Sequence, residues 1–182
     1  MLELREAPGG WRWEETRKTW AGVEESGTRN LFSAIGLGAR SVELLVRRQA
    51  LTLHNALCWR GQHLFLTEIN TLGGWLEIKA AAVQVTRCVA GPGHPAQGKQ
   101  FPGVVTEKYI RHEQGEPYAT NAVCYVLVTP KAVELTPGYL VQTALPAVPP
   151  LPPDGLEEFH VLTAHTLDEY KNEYEIARTR DL

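Results

Sequence analysis

The sequence has few of the residues on which nucleophilic catalysis and metal binding usually depend. It contains only three serines, none of them in a G-x-S-x-G nucleophile elbow, and only three aspartates. Its three cysteines, Cys58, Cys88 and Cys124, are an odd number and form no CxxC pair. Neither a disulfide framework nor a zinc knuckle is indicated, so we expect reduced and mostly buried thiols.

Cofactor and metal motifs are missing as well. No G-x-x-x-x-G-K-[ST] loop is present to hold nucleotide phosphates. The histidines show no H-x-H or HExxH spacing; they are His54, His63, His94, His112, His160 and His165. Cys58 beside Trp59 is the best thiol nucleophile, with His54 and His63 nearby in sequence, but nothing else supports it. We therefore expect no enzyme activity and no cofactor, and we assign no catalytic, cofactor-binding or metal residues.

The charge balance and hydropathy restrict the function further. The chain has 18 basic and 21 acidic side chains, a net charge of −3, which argues against a protein that mainly grips phosphate. Hydrophobic residues make up 43% of the sequence, enough for a folded core. No apolar run approaches the roughly 20 residues of a membrane span, and the segment from Met1 to Glu6 lacks signal-peptide features. We expect a soluble protein that is made in the cytoplasm.

What the sequence does contain is β alternation. Val42, Leu44 and Val46 fall on one face of a predicted strand, and Glu43 and Arg47 fall on the other. The length of 182 residues suits one β-rich domain or two small ones. The fold class that we predict is mainly β, with two small β-barrel or β-sandwich units and little helix.

A hairpin is predicted next along the chain. Arg60 and Gly61 form its tight turn, after which Leu64 and Leu66 are predicted to face away from Phe65. The run 75–85 follows two glycines and predicts one long, bent strand in spite of its alanines. Residues 31–39 predict no more than a short helix or an ordered loop.

A glycine- and proline-rich segment divides the chain. Residues 90–98 contain three glycines and two prolines, which disfavour both helix and strand. We therefore predict an N-terminal domain over 1–90, a linker at about 91–98 and a C-terminal β domain over 99–182. A second proline-rich stretch, 147–155, predicts an extended surface loop.

The second half again predicts strands, at 103–111, 122–129 and 139–142. The middle one is almost wholly apolar, which is typical of a strand covered on both faces. A turn is predicted at 136–138.

Two alternatives remain open for the C-terminal segment 166–178. Thr166 and Glu169 fit a helix capping box, whereas alternation before and after residues 167–170 fits a hairpin. We favour the hairpin.

Two surfaces are predicted from aromatic residues. Trp11 and Trp13 follow a flexible Pro-Gly-Gly break and are expected to pack on their own chain or on a neighbour. Arg47-Arg48 with Trp59 and Phe65 is a candidate basic and aromatic face for nucleic acid. Glutamates interleave the same strands and oppose that reading; they are Glu43, Glu68 and Glu77.

Three segments together resemble a known family. They are 19–25, with a strand ending in Trp20-Ala21, then 42–48, which ends in two arginines, and the glycine hairpin 61–69. This order resembles the head-closure, or head–tail joining, proteins of tailed bacteriophages. Segments of the second half also look like the C-terminal portion of neck or minor capsid proteins of Firmicute-type phages and prophages; they are 101–109, 128–131 and 167–176.

The resemblance implies a mechanical role. Residues 1–90 would be a head-closure-like β-barrel, and copies would form a ring in the virion neck between the portal or adaptor and the tail. Double-stranded DNA would pass without tight binding, and no membrane would be involved. The connector 26–40 and the loop 147–155 would contact partners. The alternatives are a tail-terminator or minor tail protein, or a small nucleic-acid-binding β-barrel.

Overall fold

The computed structural model describes residues 1–7, 10–29, 39–90, 100–115, 118–143 and 157–178. These residues form 13 strands and contain no helix, so the mainly β prediction is confirmed. In chain order the strands are β1 (Leu2–Ala7), β2 (Gly10–Glu15), β3 (Ala21–Arg29), β4 (Ala39–Arg47), β5 (Ala56–Trp59), β6 (Gln62–Leu72), β7 (Trp75–Ala82), β8 (Gln84–Ala90), β9 (Gln100–Gly115), β10 (Tyr118–Pro130), β11 (Leu140–Thr143), β12 (Glu157–Thr166) and β13 (Lys171–Arg178).

Hydrogen bonds join the strands into one mixed sheet in the order β10-β13-β12-β11-β8-β9-β2-β1-β5-β6-β7-β4-β3. Strand β9 also pairs with β10, so the pairings among β8 to β13 form a closed cycle of six antiparallel strands. Strands β1 to β7 instead form an open run that ends at β3. Division into two separate barrel or sandwich units stays a prediction.

The alternation in β4 is confirmed. Val42, Leu44 and Val46 are buried, whereas Leu45 and Arg47 are exposed. The buried residues join a core cluster with one face of β6 and β7. Since successive strand side chains point to opposite faces, this face alone packs the N-terminal core.

The Arg60-Gly61 turn is also confirmed. Both residues have positive φ, 50° and 79°, which is the geometry of a type I′ turn between antiparallel strands. Phe65 is buried as well as Leu64 and Leu66, and it belongs to a different core cluster from theirs. The β1–β2 hairpin covers the second face of β6 there, with the Trp13 ring edge-on to Phe65 at 5.8 Å between centroids.

The predicted single strand over 75–85 is broken at Val83 into β7 and β8. Strand β7 pairs with β6 and β4, whereas β8 pairs with β9 and β11. The Val83 N–H donates to the His63 carbonyl, and Gln62 Nε2 donates to the Val83 carbonyl. The break therefore lets the chain change strand partners without leaving backbone groups of Val83 unpaired.

Two predicted boundaries near the N-terminus are wrong. The predicted strand ending in Trp20 is irregular chain over residues 16–20, and the strand begins at Ala21 instead. The connector 26–40 was expected to contain no strand, yet β3 extends to Arg29. The reason is a bulge between Glu25 and Gly27, which keeps β3 paired with β4 past the glycine. Residues 30–38 lie outside the described residues.

The C-terminal half largely follows its predicted order. In β10, residues from Cys124 to Pro130 are buried, as expected of a strand covered on both faces. A turn occurs at residues 137–138, within the predicted 136–138. The segment 166–178 forms the predicted hairpin, with β12 and β13 joined through residues 167–170. The predicted linker 91–98 and the proline-rich loop 147–155 lie outside the described residues.

Buried polar side chains fix the irregular segment between β10 and β11. The Tyr174 hydroxyl donates to the Val133 carbonyl at 2.9 Å and accepts from the Leu135 N–H at 3.0 Å. Asn172 Nδ2 donates to the carbonyls of Lys131 and Val133, both at 3.1 Å. Strand β13 thus supplies the hydrogen bonds that a strand neighbour would otherwise give this segment.

The buried side chains that the structure describes form three core clusters. One belongs to residues of the N-terminal half and one to residues of the C-terminal half. The third joins the halves, because Phe65, Ala81 and Val83 pack in it with Val104 and Trp13. The division into an N-terminal domain over 1–90 and a C-terminal domain over 99–182 stays a prediction.

Candidate functional site

The cysteines considered as candidate nucleophiles lie in both halves of the chain. Cys58 is exposed on the outer face of a short strand. It is opposite His63 in the β5–β6 ladder, and desolvation lowers the pKa of His63. Cys124 is buried, and the Cys88 side chain lies outside the described part.

Among the side chains that the structure describes, no group of three or more histidine, cysteine, aspartate or glutamate residues is placed to hold a metal ion. The assignment of no catalytic, cofactor or metal residues stays a prediction. Within the described ranges, no helix is both long and apolar enough to cross a bilayer.

The candidate nucleic-acid face is not assembled as predicted. Phe65 is buried in the core and cannot stack on a base. Trp59 is half-buried, and its ring lies 4.6 Å from the Arg60 guanidinium carbon. Arg47 and Arg48 are exposed at a different end of the sheet, beside Trp75.

An apolar surface lies at that end of the sheet. Trp20 is 95% exposed, and Leu45, Leu72 and Trp75 are also exposed. We call these four residues the apolar end surface. Leu72 pairs with Trp75 across the β6–β7 turn, and Trp75 pairs with Arg47 of β4, so their side chains share one face.

Hydrogen bonds bring the Trp20 segment to the same end. Gln49 Nε2 donates to Thr19 Oγ1, and Arg17 donates to the Ala50 carbonyl. The Arg48 N–H donates to the Gly74 carbonyl of the β6–β7 turn. The chain around Trp20 is therefore held against the strand ends that carry Trp75.

The apolar end surface adjoins an open sheet edge. Among the described strands, β3 has a hydrogen-bonded neighbour on one side only, namely β4. An edge strand presents backbone N–H and C=O groups that another chain can pair with.

A half-open pocket of about 330 Å³, called the cavity below, is lined by residues of both halves of the molecule. One wall comes from the β1–β2 hairpin, with Trp11 and Trp13, and another from the loop that carries His54. The C-terminal half supplies Tyr170 and Lys171. The rings of His54 and Tyr170 meet edge-on across the halves, at 4.6 Å between centroids.

The charges of the cavity wall come from Glu3, Lys131 and Lys171. Glu3 pairs with Arg5 at 3.2 Å, and Lys131 Nζ donates to the Asp168 carbonyl at 3.1 Å. Lys171 is only 2% exposed. Burial lowers the pKa of Lys171, an effect that the nearby Asp168 charge opposes.

Part of the cavity wall was predictable from the sequence. Trp11 and Trp13 were expected to be covered, and they are, within their own chain. Nothing in the sequence marked Lys171, since a lysine that begins a strand is usually exposed.

Comparisons with known proteins add no identification. No family model matches the chain, and no curated protein or solved structure matches it.

Proposed function

We propose that this chain is a structural component of the tailed-phage virion neck, a head-closure or head–tail connector protein that assembles as a ring between portal or adaptor and tail. The sequence resemblance of segments 19–25, 42–48 and 61–69 suggests the role. The observation that carries it furthest is the apolar end surface beside the open edge of β3.

The exposure of these side chains supports assembly. A nearly fully exposed Trp20, with Leu72 and Trp75 on the same end, presents large apolar groups to water. Such groups are covered favourably when a neighbouring subunit packs on them. In a ring, each copy would offer this surface to the next through a head-to-tail contact.

The charge pattern supports transit of DNA rather than tight binding. On the exposed face, Lys79 of β7 lies between Glu43 of β4 and Glu68 of β6, and its Nζ is 2.6 Å from Glu68 Oε2. The Lys79 ammonium is thus engaged by carboxylates and contributes little positive field for phosphate.

Size-exclusion chromatography with light scattering, with and without duplex DNA, tests the proposal. We expect concentration-dependent assembly into a closed oligomer and no shift with DNA. A DNA complex that weakens steeply with salt would contradict the proposal and favour the nucleic-acid-binding alternative. Some ring proteins assemble only when they dock on a partner ring. If the protein is a monomer in solution, the variants and the genetic test below decide the proposal.

The variant Trp20→Ser combined with Trp75→Ser should reduce self-association or docking, because it removes the two largest exposed apolar side chains. Lys18→Ser is the matched control, since Lys18 is 90% exposed and lies two residues from Trp20. Equal assembly of all three proteins would contradict a role for the apolar end surface.

Inactivation of the gene in its own genome tests the location in the virion. We expect electron microscopy of lysates to show DNA-containing heads separated from complete tails. Tails of abnormal length on joined particles would instead indicate the tail-terminator alternative, and normal virions would reject both.

A further inference from the structure

Two arginines border the apolar end surface. Arg47 of β4 pairs with Trp75 of β7, and the Arg48 N–H donates to the Gly74 carbonyl, so both arginines lie beside the Trp75 position. Both side chains are exposed, and neither guanidinium forms an ion pair with any residue that the structure describes. This end of the sheet therefore combines large exposed apolar side chains with two cations that are open to a partner.

The other charged groups near this end do not cancel the two arginines. Arg17 adds a third exposed guanidinium, whereas the Lys18 ammonium lies 4.0 Å from a carboxylate oxygen of Glu15. Glu77 lies two residues beyond Trp75 on the same face of β7. These four cations and two carboxylates leave the end positive, although the whole chain has a net charge of −3. The remainder of the chain is therefore more acidic than its overall charge indicates.

The C-terminal half carries the opposite charge. Its described segments 118–143 and 157–178 contain seven acidic residues and only three basic ones. Those three cations are already engaged or covered within the chain. Lys171 is buried, the Arg178 guanidinium forms an ion pair, and Lys131 Nζ donates to a backbone carbonyl. These segments therefore present mainly carboxylates to a partner.

Three of these carboxylate side chains are exposed, and they belong to two neighbouring segments. Asp168 and Glu169 lie in the turn between β12 and β13, and Glu134 lies in the segment that Asn172 and Tyr174 hold by hydrogen bonds. We call Glu134, Asp168 and Glu169 the acidic surface. Asp168 Oδ1 accepts two backbone N–H groups that follow it, both at 2.7 Å, so the turn is held in one conformation.

We propose that the apolar end surface and its two arginines pack on the acidic surface of a second copy of this chain. The inference rests on the self-assembly proposed above and names the surface that receives the contact. Two apolar end surfaces that faced each other would oppose arginine to arginine, whereas the acidic surface offers opposite charge. The contact joins two different surfaces, so each copy keeps one of each kind for its next neighbour, as a ring requires.

Sedimentation velocity of the full-length protein at up to about 500 μM, where even a weak contact is populated, measures the self-association. Arg47→Ser combined with Arg48→Ser should weaken it at least about tenfold, because the paired charges are lost. Arg5→Ser combined with Arg12→Ser is the matched control, since both side chains are exposed and lie on the β1–β2 hairpin. This control should associate like the unaltered protein. Added salt should weaken the unaltered contact.

Charge reversal tests which two surfaces meet. One protein carries Arg47→Glu with Arg48→Glu, the other carries Glu134→Lys with Glu169→Lys, and each alone should stay monomeric. An equimolar mixture of the two should associate, because every contact between unlike proteins then joins opposite charges. All four positions are exposed, and circular dichroism checks that both proteins fold. A mixture that stays monomeric would reject the proposed pair of surfaces.

The remaining outcomes separate this inference from the neck proposal. An unaltered protein that is monomeric at every concentration overturns the inference, and the neck proposal then depends on the gene inactivation. Self-association that withstands the charge reversals also overturns the inference but leaves ring assembly in place. Binding of duplex DNA that is lost in Arg47→Ser with Arg48→Ser would assign the arginines to nucleic acid and contradict both.

Discussion

At the scale of single residues, burial separates aromatic side chains that look equivalent in the sequence. Trp20 and Phe65 both belong to strand-like patterns, yet Trp20 is 95% exposed and Phe65 is 2% exposed. Burial of Phe65 depends on the β1–β2 hairpin, which is distant in sequence. The local alternation of apolar and polar residues therefore could not predict which of the two rings is buried.

Alanine substitution tests this contrast. Trp20→Ala should change the free energy of unfolding by less than about 0.5 kcal/mol, because the indole contributes no core packing. Phe65→Ala should lower it by about 3–5 kcal/mol, because it leaves a cavity between two packed faces. Urea unfolding followed by circular dichroism measures both. A cost above about 2 kcal/mol for Trp20→Ala would show that its ring is buried in solution.

Tyr174 offers a test of the polar core. Tyr174→Phe removes the hydroxyl that bonds to both Val133 and Leu135. Since both backbone groups would lose a partner, we expect a loss of about 1–3 kcal/mol in unfolding free energy. Tyr170→Phe is the control, because its hydroxyl bonds to no backbone group of this segment, and it should be near neutral. Equal effects of the two substitutions would contradict the assigned network.

The pH dependence of the unfolding free energy should show the cost of burying the charged Lys171. Burial lowers its folded pKa below the unfolded value of about 10.5, so the unfolded chain binds more protons between the two pKa values. The penalty is present in full below the folded pKa and disappears as pH rises to the unfolded value. Lys171→Met should therefore be more stable than the unaltered protein at neutral pH, with a difference that shrinks towards pH 10.5.

Guanidinium unfolding across that pH range measures the difference between the two proteins, which removes the contribution of other titrating groups. A difference that stays constant with pH would mean that the ammonium is hydrated in the folded protein. Lys18→Met should show no such trend.

At the scale of elements, turns and register were largely predictable, whereas strand ends were not. The Arg60-Gly61 turn follows from local chemistry, because glycine tolerates positive φ. The break at Val83 has no local signal of comparable strength. It occurs because β7 and β8 pair with different strands, and those partners are set by the rest of the chain.

Gly10 tests the link between β2 and β9. A Cβ at this position would lie 2.1 Å from the Gln100 carbonyl oxygen, and its φ of +134° suits only glycine. Gly10→Ala should cost about 1–3 kcal/mol in unfolding free energy. It should also speed hydrogen exchange where the two strands meet. Gly74→Ala is the control, since no atom lies within 4 Å of its added Cβ.

The exchange result decides the interpretation. The amide hydrogens of β2 and β9 could exchange at the same rate in Gly10→Ala and in Gly74→Ala. In that case the parallel pair Gly10–Gln100 contributes nothing to joining the halves.

At the scale of the whole molecule, the halves are joined by packing as well as by the sheet. Phe65, Ala81 and Val83 contact Val104 of the C-terminal half, and Trp13 covers the same cluster. The cavity lies across this junction, with His54 on one side and Tyr170 on the other. Both halves should therefore unfold together.

Val104→Ala tests the coupling. Loss of two buried methyl groups should lower the free energy of unfolding by about 2 kcal/mol. Because Val104 packs against Phe65, amide exchange should accelerate in β6 as well as in β9. Acceleration confined to β9 would mean that the two halves unfold independently, and Val123→Ala, remote from the shared cluster, is the control.

The sequence by itself determined the strand class, the Arg60-Gly61 turn, the buried face of β4, the double burial of β10 and the preference for a hairpin after Thr166. These features follow from side-chain period and turn conformation, which act between near neighbours in the chain.

Only the tertiary structure decided which strands became neighbours, which aromatic rings were covered and that Lys171 would be buried. These outcomes depend on which apolar faces bury one another, and the faces come from segments far apart in the chain. An alternating pattern specifies that a face must be covered, but the covering partner is chosen by the packing of the complete molecule.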